Sequence, residues 1–176
     1  MYLGNQRGNS GIVFMVGILV IVGTLLWGGL RVINSIQFTQ GCKGHLKRAA
    51  DANTVQLAKE ELAIALNYIE AHELTSGYTS VLYRTPDEDV EFWYRNLSSA
   101  LAELSAMKPD ATMLEKSNML MKLRETLLDD GEKGTKVTRP RGISIYPNNV
   151  AYCFFGWLTA GLLCIALVGV AANDRY

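Results

Sequence analysis

Two stretches of the chain hold the residue types from which sites are made. Cys42-Lys43-Gly44-His45 sets a thiol and an imidazole three residues apart, donors that suit zinc when about four of them converge. The only other histidine is His72, and Cys153 and Cys164 lie inside an apolar run, so this is half a motif without a second half. The second stretch, YRTPDEDVEFWYRNL from Tyr83 to Leu97, packs acids against three consecutive aromatics. Its acids, Asp87, Glu88, Asp89 and Glu91, would attract a cation, but they lack the alternating donors and central glycine of a calcium loop. No G-x-S-x-G elbow, P-loop or G-x-G-x-x-G is present, and these are the frames that hold nucleophiles and phosphates. The formal net charge is zero, without the basic excess of a nucleic-acid binder. The expectation is therefore no catalytic residue, no cofactor, no metal and no nucleic-acid partner.

Those residues make better sense as the start of a helix. Thr85 can accept from an orphan N–H, Pro86 suits the first helical position, and Glu88 sits where a capping-box carboxylate reaches back. The acids also meet the positive end of the helix dipole. Behind them Val90, Trp93, Tyr94, Leu97, Leu101 and Leu104 form one apolar stripe that should run to about Met107, where Lys108-Pro109 ends it. At 100° per residue Phe92 falls about 200° from Val90, on the far face with Arg95. Phe92 and Arg95 are therefore the candidate contact for a partner, since aromatics and arginines are enriched at interfaces.

Two further helices complete a bundle. From His45 to about His72, apolar residues recur at steps of three and four (Val55, Ala58, Leu62, Ala65, Leu66, Ile69). The helix should stop before Thr75-Ser76-Gly77, and GYTSVLYR after it reads as an ordered loop. Asp110 is the expected cap of a third helix that carries Met113, Leu120, Leu123 and Leu127 and closes at Asp129-Asp130-Gly131. Two acids at that end oppose the dipole and call for a basic neighbour. Residues 132–149 have no helical period and read as a linker, partly extended near Ile143-Ser144-Ile145. The linker must bring the chain back, because helices of about 20 residues leave it roughly 30 Å from where the bundle began. Extended residues at about 3.3 Å each can cover that distance.

The bundle is bracketed by two apolar runs. Residues 11–30 and 150–172 carry no charge, and each matches the roughly 20 residues that span a bilayer core. The first is longer than a secretory h-region of about 7 to 15 residues and ends without an A-x-A site, so it reads as a retained span. In the second, Gly156, Ala160 and Cys164 recur every four residues, a small-residue seam that lets a helix approach closely. The expected fold is an all-α membrane protein: a tail (1–10), a span (11–30), an antiparallel three-helix domain (31–131), a linker (132–149), a span (150–172) and a tail (173–176).

Arg31, Lys43, Lys47 and Arg48 follow the first span, and Lys133, Lys136, Arg139 and Arg141 precede the second. By the positive-inside bias this favours an inner-membrane protein with a cytoplasmic middle. Its expected partners are the bilayer and either further copies of itself or a larger membrane complex. The function expected is that of a non-enzymatic accessory or scaffold subunit. A signal-input domain between two spans is the alternative, and a membrane-bound enzyme the distant one.

Overall fold

The computed structural model describes residues 6–131 and 134–173. The ends of the expected tails, at 1–5 and 174–176, and linker positions 132 and 133 lie outside the described residues. The chain is mostly helical: α1 (Gln6–Phe38), α2 (Gly44–Ala50), α3 (Val55–Ala71), α4 (Val90–Ala106), α5 (Met113–Leu127) and α6 (Asn149–Asn173). Two strands, β1 (Leu128–Gly131) and β2 (Gly134–Val137), add a small antiparallel hairpin. Two compact units divide the chain, one made of residues up to Ile33 and from Val150, the other of Asn34–Asn149.

In the first unit α1 is long and apolar enough to cross a membrane, while the described apolar stretch of α6, Asn149–Ile165, is shorter. Both helices leave large side chains uncovered, among them Leu19, Leu25 and Leu26 on α1 and Phe154, Trp157 and Ile165 on α6. Water would penalise each of these by about 1.5–3 kcal/mol relative to burial. The Thr24 and Thr159 hydroxyls donate to the carbonyls of Val20 and Phe155 one turn back, so each finds its acceptor within its own helix. The Trp27 indole N–H donates to the Tyr152 carbonyl at 2.8 Å. Gly156 lies against the same indole, so that a Cβ there would stand 3.1 Å from Cζ2. Gly156 is partly buried, while Ala160 and Cys164 are exposed.

The second unit holds the hydrophobic core. Phe38, Cys42, Leu46 and Ala49 meet Ala58, Leu62, Ala65 and Ile69 of α3, with Val90, Trp93, Leu97 and Leu104 of α4 and Leu123 and Leu127 of α5 around them. Helix α2 packs on α3 and α5, and α3 on α4, so four helical segments surround this core. The single helix expected from His45 to His72 is in fact two. Asp51, Ala52, Asn53 and Thr54 interrupt it, and Thr54 caps α3 by accepting from the Leu57 N–H at 3.2 Å. Short polar side chains compete for backbone groups and favour a cap over a helix interior.

Where α1 meets α2 the backbone widens into a π-turn, Thr39–Lys43. Gly41 occupies its inner side. A Cβ there would collide with the ring of Tyr68, which stacks on His72 at 3.9 Å and meets Phe38 edge-on. At the other end of α3 the chain stops by a Schellman turn: Leu74 N–H donates to Ile69 O at 2.9 Å and Glu73 N–H to Glu70 O at 3.1 Å. Glu73 takes the left-handed conformation, φ 56°, that this turn requires.

Three further expectations change at helix ends. The cap of α4 is Asp89, whose carboxylate accepts from Phe92 N–H at 3.0 Å, while Pro86–Glu88 forms a separate 3-10 turn. The cap of α5 is Thr112 rather than Asp110, and with Glu115 it closes a full capping box. A Thr three residues before a Glu satisfies two orphan donors at once, which a lone Asp does not. Finally, Ile143–Ile145 is a 3-10 turn, and the extended residues are those of the hairpin. There Asp129 stands opposite Lys136 in the register of the strands, and α5 ends at Leu127.

Candidate interaction groove

The segment after β2 docks across α4 and α5 by two hydrogen bonds. The Trp93 indole N–H donates to Thr138 O at 3.0 Å, and Thr138 N–H donates to Leu127 O at 2.9 Å. Burial of Val137, Pro140, Ile143 and Ile145 holds residues 134–149 to the unit. Between this segment, the start of α4 and the outer face of α2 runs an open groove of about 1030 Å³.

Its charge is mixed, with basic residues in excess. Lys43, Lys47, Arg124, Lys136, Arg139 and Arg141 line it against Asp51, Asp87, Asp89 and Asp129. Asp51 is shared, 2.7 Å from Arg124 and 3.9 Å from Lys47. Lys43, Lys136 and Arg141 make no ion pair among the described residues. Phe92 stands on this groove with 63% of its surface exposed, beside the buried Trp93. Arg95, one turn further along α4, is exposed and is not among the residues that line the groove.

The Cys-His half-motif does not converge. Cys42 is fully buried, and desolvation pushes its thiol up to about 12 against a smaller opposing pull from Arg139, whose guanidinium lies 5.4 Å over the Phe38 ring. His45 instead meets the buried Glu61 at 2.7 Å, and Arg48 reaches the other oxygen of the same carboxylate at 2.5 Å. Both contacts run from α2 to α3, so this cluster reads as a clamp between the two helices. Among the described residues no group of three or more histidine, cysteine or acidic side chains is placed to hold a metal.

Thr85, Pro86 and Glu88 act on the loop before α4. The hydroxyls of Ser80 and Thr85 both donate to one Glu88 oxygen, the latter at 2.6 Å, and these bonds hold the Glu88 carboxyl below the usual range. Sequence patterns do not disclose the groove itself, because its walls come from segments about 90 residues apart in the chain. The indole N–H of Trp93 and the alternation of bases in KVTRPR are the available hints.

No protein-family model matches this chain, and neither a curated protein nor a solved structure is significantly similar to it.

Proposed function

We propose that this protein crosses a membrane twice, by α1 and α6, and that its helical unit acts through protein contacts as an accessory or scaffold subunit. On this reading it works as a homo-oligomer or within a larger membrane complex, and it performs no catalysis. The observation that carries the contact role is the groove with Phe92 on it. An exposed aromatic beside a buried indole, with basic residues around it, resembles an aromatic interface anchor inside a polar rim. The uncovered apolar side chains of α1 and α6 support the two crossings.

The test is native mass measurement of the full chain in mild detergent. An assembly larger than one chain is expected, and Phe92→Asp should shift it to lower mass while leaving the melting temperature within a few degrees. A wild-type protein that is strictly monomeric, with nothing bound, rejects the proposal. A signal-input role is the second reading, favoured by the size of the groove, which reaches the upper end of the roughly 300–1,000 Å³ of small-molecule sites. It expects a small anion to raise the melting temperature of the wild type but not of Lys136→Ala.

A further inference from the structure

The groove on the Asn34–Asn149 unit holds charges of both signs that the chain does not pair with one another. Lys43, Lys136, Arg139 and Arg141 all line it, and none makes an ion pair among the described residues. The same is true of Asp87, Asp89 and Asp129. The two signs are supplied by different elements. Lys43 ends the π-turn that follows Phe38, and the Arg139 guanidinium lies 5.4 Å over the Phe38 ring, so these bases belong to the junction with α2. Asp87 lies in the 3-10 turn before α4, and Asp89 caps that helix by accepting from Phe92 N–H at 3.0 Å, so these acids belong to the start of α4, with Phe92 beside them.

That pattern selects a partner. An acidic segment laid in the groove would meet the bases but also face Asp87 and Asp89, and a basic segment would meet the acids but face Lys43 and Arg139. Like charges brought together across an interface penalise association. A second copy, turned about a two-fold axis, brings its acids to these bases and its bases to these acids. An isologous interface joins one patch to itself and so demands a patch that is complementary to itself.

We propose that the groove is the contact between two copies of this chain related by a two-fold axis, with Lys43 and Arg139 of each copy facing Asp87 and Asp89 of the other. The proposal rests on the reading that the helical unit acts through protein contacts, and it names the partner. Phe92, 63% exposed, is carried into the partner's groove, where burial of its ring supplies affinity. The charges set the register. Exposed ion pairs add little affinity each, but they exclude alignments that oppose like charges.

The experiment exchanges charges in the full chain, purified in mild detergent. Asp87→Lys makes the acidic side basic, and Lys43→Glu or, separately, Arg139→Glu makes the basic side acidic; whichever of the latter two melts within a few degrees of the wild type is carried forward. Each substitution occurs twice in a two-fold dimer, so each variant alone should dissociate about tenfold more readily than the wild type. Mixing Asp87→Lys with the acidic variant makes both contacts opposite in sign again. With one variant grown on heavy nitrogen, native mass measurement should then show the mixed dimer in excess over either homodimer. Variants that assemble as the wild type does, with mixed dimers in statistical proportion, overturn the two-fold pairing and leave the contact reading intact. Folded variants that come apart alone and stay apart when mixed overturn it as well. A wild type that associates only with a different protein assigns the groove to that partner and overturns the pairing alone. A wild type that is strictly monomeric, with nothing bound, overturns the contact reading and the pairing with it.

Discussion

Glu88 shows how a single side chain can take a role other than the one its position suggests. Three residues after Thr85, it should reach back to a cap. Instead its carboxylate collects the hydroxyls of Ser80 and Thr85 and fastens the loop before α4, and those bonds depress its pKa in the fold. The sign follows from linkage: a carboxyl that binds its proton less readily when folded contributes stability above its unfolded value. That contribution is complete above the ordinary 4.5 and is lost as pH falls through the lower folded value. Glu88→Gln keeps an acceptor for the hydroxyls but cannot titrate. In urea melts of the full chain in detergent, the difference between wild type and Glu88→Gln should be steady above about pH 5 and shrink below it. A difference that is flat across that range would remove Glu88 from the loop's fastening.

Helix ends decide how much of this fold is legible in the sequence. The apolar stripe of α4, and that of α3 from Val55 to Ile69, are present as the spacing predicts, because a 3.6-residue period survives any tertiary context that buries one face. The ends differ because several residues compete for each one. Asp89 displaces Thr85, and Thr112 with Glu115 displaces Asp110. The hairpin is hidden because Asp129-Asp130-Gly131 reads equally as a helix terminus, and only pairing with Lys136 distinguishes the two. The close of α3 yields a prediction of its own. Its Schellman turn uses Glu73 at φ 56° where glycine is usual. A left-handed non-glycine residue costs about 1–2 kcal/mol, of which glycine returns some 0.4–1 kcal/mol through the unfolded chain. Glu73→Gly should therefore raise stability by about 0.5–1 kcal/mol, seen as an upward shift of the urea midpoint with unchanged slope. A loss of stability would mean that the Glu73 side chain makes contributions larger than the strain it relieves.

At the scale of the molecule, two crossings by α1 and α6, as proposed above, would set Asn34–Asn149 on one side of the membrane. A chain that crosses twice leaves everything between its crossings on one face. The bases after Leu30 and before Asn149 favour the cytoplasmic one. Cys42, although it lies within this unit, is a poor reporter of side. It is fully buried and its thiol is pushed up to about 12, whereas only a thiolate attacks such reagents readily, so it should stay unlabelled whichever way the unit faces. Met113 is a sounder position, since it is 82% exposed and starts a helix whose cap, Thr112 with Glu115, does not use its side chain. Met113→Cys should resist a membrane-impermeant maleimide in intact cells and react fully once the membrane is opened with detergent, while wild-type chain stays unlabelled in intact cells. Reaction in intact cells would put the helical unit, its groove and its loop on the outer face. The positive-inside bias would then have yielded to translocation of a long loop, as it does for loops beyond about 60 residues.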